Sequence, residues 1–545
     1  MPNIEASKSD LEKLAGKKFS DSELEEALLY VKGEIDSREG DCLKIDIKET
    51  NRPDLWSTEG IARELRSHFG LEKGIPFPEV KPAKVTVTIG AGLEKIRPLG
   101  VYAICRGVKV TDESLRQLIQ LQEKICLTFG RKRKEVAIGV FDADKVKGNC
   151  RYLAMDPGFE FIPLGYSRQM SLREILYEHP KGKEYAHLLE GREKFPLLLD
   201  ENNGVLSMPP IINSEGSGKV TEATKNLFID VTGFRQENIE TALRIICLAL
   251  SDRGATIEAV QVKRAGKTIT TPSFGARKIS VPLSLVESYT GLDWHHNSII
   301  ELLQKSRMEG KLEGKRIEVS YPDYRLDILH AVDIIEDLLI SYGYNKITPV
   351  PVKMPLLGKH SKETRSLDSC REALIGLGLQ EVLTFVLTSR EKQEKFVSLK
   401  GEEFVEIANP VSANWHLMRR RIFPELLEFL SRNRHCAFPQ NVFEVGKTLE
   451  LKEGEESGVI ERNVACVVLC HAEASFAQAK SMLESLMRAR NVEFKLEKKN
   501  RPFFIPGRSA EIKIGKKTGF IGELHPQVLE NFGLEMPVAL FEVEI

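Results

Sequence analysis

Apolar positions recur with helical spacing from the start of the chain. Residues 7 to 31 pattern as two short helices, the second opened by Ser20-Asp21 ahead of LEEALLYV, with acidic residues in the first turn where the helix dipole favours them. A strand is predicted over residues 42 to 49, CLKIDIKE, followed by a proline-marked turn and a helix with Ile61, Leu65 and Phe69 on one stripe. GIPFPEVKP, with its three prolines, reads as a linker and sets a boundary near residue 82. From Lys84 to about Val262, strands such as KVTVTIG and VYAICRGVKV alternate with helices such as SLRQLIQLQEKICLTFG and IETALRIICLALSDRG, which predicts a mixed α/β domain. A further small domain is predicted over about 276 to 346, and ITPVPVKMP introduces a larger α/β unit. The chain thus divides as 1–82, 83–268, 269–346 and 347–545.

A shift of 273 positions lays Arg52, Asp54, Leu65, Phe69 and Gly70 on Arg325, Asp327, Leu338, Tyr342 and Gly343, which implies two copies of one unit. Each copy carries an R-x-D turn and a helix closing at an aromatic-Gly pair. The shared aspartate is expected to be a helix N-cap, and the glycine a left-handed C-terminal cap. Only the second copy gathers Asp327, Asp333, Glu336 and Asp337, of which 333, 336 and 337 share one helical face. Like charges at that spacing repel, so either the face is solvated or a hard cation such as Mg²⁺ accepts the oxygens. The first copy has Asp54, Gly60, Arg63 and Glu64 at these places and cannot form such a cluster.

Composition narrows the classes. With 545 residues, 42% hydrophobic and 29% charged, the chain has material for several cores and no disordered bulk. Lys and Arg (78) balance Asp and Glu (79), so any nucleic acid must be met by local patches such as RKRK at 131–134. There is no apolar signal core at the N-terminus and no membrane-length apolar run, and a cytoplasmic protein is expected. Nine cysteines without a C-x-x-C pair predict free buried thiols, and Cys466, Cys470 and His471 are one ligand short of a zinc site.

One segment combines groups that suit ester hydrolysis, which needs an oriented water and donors for an oxyanion. In NSEGSG, Asn213 and Ser214 offer side-chain donors, while Gly216 and Gly218 let backbone N–H groups approach a substrate. Asp230 and Thr232, in LFIDVTG, alternate to the same face of a strand. The same residue types also make ordinary turns and caps, so the residues alone leave both readings open. A phosphate loop is excluded, because G-x-x-x-x-G-K-[ST] would need glycine at Asn213 and Ser or Thr at Val220.

YRLDILHAVDIIEDLLISYGYNKI resembles the signature of phenylalanyl-tRNA synthetase β subunits. NRPDLWSTEGIARELR is similar to that family's N-terminal domain, and AIGVFDADKVKG and PPIINSEGSGKVTEATKNLFIDVTGF to its editing domain in the archaeal/eukaryotic form. The segment from NPVSANWHLMRRRIFPELL to FEVGKTLE resembles its synthetase-like domain. The resemblance implies an α+β multidomain fold: small α/β domains related by an internal repeat, a mixed α/β editing domain, and a C-terminal antiparallel-sheet, class II synthetase-like domain. It implies an α-subunit partner in an α2β2 heterotetramer, tRNA(Phe) as substrate, and hydrolysis of misacylated tyrosyl-tRNA(Phe) on this chain. It also implies Mg²⁺ on Asp327, Asp333, Glu336 and Asp337 near α, and ATP used by α. In a working class II site, F-R-x-E and G-x-G-x-x-R motifs supply arginines to ATP; NVFEVGKTLE and FIGELHPQVL lack them, so no working ATP site is expected here. The basic runs Arg419–Arg421 and Arg432–Arg434 are left as RNA or interface contacts, or a solvated face.

Overall fold

A computed structural model describes residues 3–352, 354 and 357–545, which fall into two compact units, Met1–Val350 and Pro351–Ile545. The first unit opens with strands Asn3–Ser7, Gly33–Glu39 and Cys42–Ile47, paired antiparallel in the order first, third, second. Helices Lys8–Ala15, Asp21–Leu29 and Thr58–His68 pack Leu11, Leu28, Ile61 and Leu65 against Ile4, Leu43 and Ile45. Gly33–Glu39 escaped the sequence pattern because, in GEIDSRE, only Gly33 is buried and Ile35 half-buried. Ser7, Ser20 and Ser57 cap the three helices through their hydroxyls. Asp54 is therefore not the cap expected of it. Its buried carboxylate receives two bonds from Arg52, 3.0 and 2.7 Å long, because an R-x-D turn brings both side chains to one side while Ser57 stands next to the helix.

The chain then builds a large mixed sheet. From one edge the strands run Ile212–Asn213, Val205–Met208, Phe195–Leu199, Cys150–Met155, Val80–Ile89, Thr256–Arg264, Leu99–Arg106, Asn226–Gly233 and Val136–Asp142, with Lys267–Thr271 paired beside Thr256–Arg264. Val80–Ile89 is parallel to both neighbours. This strand starts at Val80, inside the predicted linker, and its register slips between the Lys81 and Val85 pairings, where Pro82 has no N–H to give the ladder. Helices Asp112–Leu127 and Gln236–Asp252 cover one face, burying Val101, Ala103, Val140, Ile229 and Val231 in a core continuous with that of the N-terminal module. Arg63, itself buried, fastens the two with a 2.6 Å bond to Asp252. Tyr102, Phe141 and Phe228 face the other way, and strand alternation puts Asp230 and Thr232 on that second face.

Residues 276–342 repeat the order of elements seen in 3–68. Strands Ala276–Pro282, Glu309–Glu313 and Arg316–Pro322 again pair antiparallel as first, third, second, with helices Leu283–Thr290, His296–Lys305 and Ala331–Tyr342. Gly70 and Gly343 close their helices at φ of +73° and +95°, where glycine alone is unstrained. Asp327, like Asp54, binds its R-x-D arginine instead of capping the helix; His330 precedes that helix.

The second unit is a seven-stranded sheet in the order Gln380–Glu381, Gln440–Leu451, Val459–Cys470, Val538–Glu544, Lys517–Leu524, Phe504–Ile514, Lys495–Lys498. It is antiparallel except for the two-residue parallel pairing at its first edge. Helices Lys362–Gly376 and Phe476–Ala489 cover one face, and Phe423–Arg432 and Pro526–Phe532 the other, giving two apolar cores. Cys466 and Cys470 are free thiols inside one of these cores, and all nine cysteines are free, seven of them buried. Among the described residues no helix is long and apolar enough to cross a membrane.

Candidate functional site

The large sheet curls until its two edges approach, and Asn213 at one edge donates from Nδ2 to the Val140 carbonyl at the other, 3.2 Å away. A cavity of about 190 Å³ opens at this seam. Asp230 and Thr232 lie at its buried end, Gly139 and Ser207–Asn213 form its walls, and Arg133 and Lys181 are more exposed at its rim.

Asp230 is 2% exposed, and its Oδ1 has no hydrogen-bond partner. Burial pushes its carboxyl up to about 7, against the pull of the Gly139 backbone and the Arg97 charge. Gly139 pairs with Asp230 across the ladder, and a Cβ there would lie 2.0 Å from Oδ1, so only glycine leaves room for the carboxylate. The Ser207 hydroxyl, also buried and lining the cavity, has no partner either. Unpaired buried polar atoms cost stability unless a ligand or water satisfies them, and two converge on one small cavity. Thr232 Oγ1 accepts a 2.8 Å bond from Nε of Arg97, a buried guanidinium that burial pulls below its ordinary value.

Of the residues predicted from sequence, Asn213, Asp230 and Thr232 come together here, while Ser214, Gly216 and Gly218 do not line the cavity. The Ser214 hydroxyl caps the one-turn helix Glu215–Gly218, accepting from Ser217 N at 3.3 Å. Gly218 is required by packing, since a Cβ would meet that of Asn213 at 2.4 Å, and Gly216 faces solvent. These three are structural parts of the turn that positions Asn213. Sequence reasoning missed Ser207, Gly139 and Arg97, which carry no local motif. It flagged Arg133 only as part of a basic run; the side chain turns inward, bonds Pro210 O and Ile211 O at 3.1 and 3.0 Å, and lies 4.4 Å over the Tyr185 ring.

The acidic set is divided among several partners. Asp327 and Asp337 both bond Arg325, each at 2.7 Å; Asp333 accepts the N–H groups of Leu329 and His330 at 2.8 and 2.7 Å; Glu336 reaches Lys32 at 2.8 Å. All four border a cleft of about 50 Å³, together with Lys32, Arg52 and Arg325. Burial raises Asp327, but the Arg325 charge and hydrogen bonds outweigh it and hold the carboxyl below its ordinary value. Carboxylate oxygens suit a hard cation, yet basic side chains and backbone N–H groups already hold them. Among the described residues no three acidic, His or Cys side chains converge as a metal cluster, so the set as arranged does not fit Mg²⁺. The run Arg419–Arg421 is likewise consumed internally: Arg419 meets Glu444, Arg420 and Arg421 meet Glu402, and Arg420 also lies near Glu450.

Three family models match the chain: a B3/4 domain at 106–255, a tRNA synthetase B5 domain at 279–344, and a phenylalanyl tRNA synthetase beta chain CLM domain at 347–545. A phenylalanine–tRNA ligase beta subunit from Pyrococcus horikoshii is 46% identical, with 100% of this chain and 99% of the relative covered. One from Thermococcus kodakarensis is 45% identical, with coverages of 100% and 98%. The crystal structure of an N-terminal fragment of the phenylalanyl-tRNA synthetase beta subunit from Pyrococcus horikoshii aligns with a TM-score of 0.62 at 48% identity, covering 63% of this chain and 100% of the fragment. With likeness running the full length of both sequences, the chain belongs to the archaeal type of phenylalanine–tRNA ligase beta subunits.

Proposed function

We propose that the cavity at the sheet seam hydrolyses tyrosyl-tRNA(Phe), and that the chain supports ATP-dependent phenylalanylation of tRNA(Phe) by a separate α subunit. The observation that carries the editing reading is the pair of unpartnered buried groups, Asp230 Oδ1 and Ser207 Oγ, in a cavity sized for one amino-acid side chain. A misacylated tRNA can enter only side chain first, because the ester carries a macromolecule that must stay outside. Asp230 and Thr232 therefore meet the phenol and not the ester. The phenol O–H satisfies the carboxylate; phenylalanine would leave it buried and unpaired, a difference of about 1–3 kcal/mol or more. The synthetic site cannot make this distinction well, since an apolar pocket rejects an added hydroxyl only about 100-fold.

A tyrosine side chain separates Asp230 from the ester, so this carboxylate reads the substrate and is not the base. The reaction is attack of water on the ester carbonyl, with the ester C–O bond broken to give tyrosine and a tRNA with its terminal ribose hydroxyl restored. Arg131, Lys132 and Lys134, exposed on the turn beside the rim, suit the tRNA phosphates.

In the second unit, the largely antiparallel sheet supports a class II synthetase-like domain, and the engagement of Arg419–Arg421 with carboxylates leaves ATP to α. The shared element order of residues 3–68 and 276–342 supports an internal duplication. We place the assembly, as α2β2, in the cytoplasm. For Mg²⁺, the oxygens of Asp327, Glu336 and Asp337 would first have to leave Arg325 and Lys32. Titration of Mg²⁺ into the lone chain should thus show no tight site at these carboxylates. A tight site abolished by Asp333→Ala with Glu336→Ala would overturn that expectation.

The test of the main reading is deacylation by the purified chain with and without α. Tyrosyl-tRNA(Phe) should be hydrolysed and phenylalanyl-tRNA(Phe) spared, and the chain alone should give no phenylalanine-dependent pyrophosphate exchange. Equal hydrolysis of both esters, or of neither, defeats the editing assignment; exchange by the lone chain defeats the division of labour.

A further inference from the structure

Arg97 is 2% exposed and forms no ion pair among the described residues; its hydrogen bonds all go to oxygens of neutral groups, while the Asp230 carboxylate acts on it only through space. Nε reaches Thr232 Oγ1 at 2.8 Å and Nη2 reaches Thr232 O at 2.5 Å, while Nη1 reaches the carbonyls of Arg133 and Lys134, both at 3.1 Å. One side chain thus grips both the buried end of the cavity and the turn at its rim.

The chemistry of the guanidinium fixes the polarity of the contact. Arginine donates and never accepts, so Thr232 Oγ1 must be the acceptor, and the single hydroxyl hydrogen is left to point elsewhere. Thr232 is wholly buried and lines the cavity, and among the described residues no acceptor takes that hydrogen. That hydrogen is free for a ligand oxygen in the cavity. The other end of the grip is also unusual. Arg131, Lys132 and Arg133 hold φ values of +49°, +54° and +64°, left-handed conformations that side chains with a Cβ disfavour. With the carbonyls of Arg133 and Lys134 drawn inward, Arg131, Lys132 and Lys134 project from the rim, exposed and without ion pairs among the described residues.

We propose that Arg97 is the positioning residue of this site: it orients Thr232 as a hydrogen-bond donor to the phenol oxygen of the tyrosyl ester and holds the basic turn where the tRNA's terminal phosphates arrive. The proposal rests on the editing reading above and adds the group that sets its specificity. Asp230 accepts from the phenol and Thr232 donates to it, so both capacities of one hydroxyl are read. Lysine could replace the bond to Oγ1 but could not span both turn carbonyls as the planar fork does.

The experiment compares kcat/KM for tyrosyl-tRNA(Phe) and phenylalanyl-tRNA(Phe) in the full assembly carrying Arg97→Met, Arg97→Lys, Thr232→Val or Arg97→Met with Thr232→Val. Arg97→Met and Thr232→Val should each lower the tyrosyl preference about tenfold, the worth of one hydrogen bond. The double variant should lose no more than Thr232→Val alone, because Arg97 acts on specificity through that hydroxyl. Arg97→Lys should recover preference while KM for tyrosyl-tRNA rises. Wild-type preference in Arg97→Met, or losses that multiply in the double variant, would overturn the proposal. Should Arg97→Met not fold, Arg97→Lys decides: recovered preference with raised KM supports it, and lost preference or an unchanged KM overturns it. A wild type that spares tyrosyl-tRNA brings down the editing reading itself, whereas an active wild type with multiplying losses brings down Arg97 alone.

Discussion

Asp230→Asn should make the chain more stable at pH 8 while removing most of the preference for tyrosyl esters proposed for it. Burial pushes the carboxyl up from an ordinary 3.8 to about 7 in the folded chain. Between those values the folded state holds a proton that the unfolded chain has released, so this group makes stability fall as pH rises. Above pH 7 the cost is complete. Asparagine has the same shape and no charge to bury, so its advantage should be largest at pH 8, a few degrees in melting temperature, and vanish toward pH 4. Parallel melts of wild type and variant across that range check the sign; an advantage that grows as pH falls would show that Asp230 is paired and not desolvated.

The functional side of the same substitution follows from the same atom. An ionised carboxylate without a partner is what phenylalanine would leave behind, and a neutral amide is far less costly to leave unpaired. Preference for tyrosyl-tRNA should fall roughly 10- to 100-fold in Asp230→Asn. In the wild type it should decline as pH drops below 7, because protonation neutralises the group that penalises the wrong ester. A flat selectivity profile from pH 6 to 8 would place phenol recognition on Ser207 and Thr232 instead. On the proposed editing function, stability given up at Asp230 is the counterpart of discrimination, a relation common at sites that must stay unsatisfied until substrate arrives.

How much of this was legible in the sequence depends on how far apart the cooperating residues lie. Asp230 and Thr232 were visible as an alternating pair because strand periodicity is local. Ser207 was not, since its strand meets this face only where the sheet curls and brings its edges together, as the Asn213–Val140 bond records; Gly139 and Arg97 were not, since they reach Asp230 and Thr232 through a cross-strand pairing and a hydrogen bond between residues far apart in the chain. Spacing alone also did not show where charge compensation comes from outside the element. The helix Ala331–Tyr342 does carry Asp333, Glu336 and Asp337 at neighbouring positions, but Arg325 and Lys32, far from it or before it in the chain, draw the carboxylates in different directions. The aspartates of the two R-x-D turns pattern as caps because the rival partner, an arginine two residues away, leaves no periodic signal. Ser214 was the opposite case, a hydroxyl with the composition of a catalytic group and the position of a cap.

Arg419→Ala should strongly destabilise the second unit. Arg419 and Glu444 are each 1% exposed, with Nη2 and Oε1 2.7 Å apart though out of line for a hydrogen bond. Arg419 also bonds Lys447 O and Thr384 Oγ1, and Thr384 donates to the other Glu444 oxygen through N and Oγ1 at 3.2 and 2.6 Å. Removing the arginine leaves a carboxylate in the sheet core with only threonine for company, a loss of about 3–5 kcal/mol. Replacing both charges, as in Arg419→Met with Glu444→Leu, should cost much less, because no orphaned ion remains and apolar pairs often match a buried salt bridge. Since two units share one chain, a single melting curve would blur the result. Hydrogen exchange in strand Gln440–Leu451 isolates it: protection should collapse in Arg419→Ala and largely return in the double variant. Equal loss in both would mean that the guanidinium's bonds to Lys447 and Thr384, and not the pairing of charge, hold this sheet together.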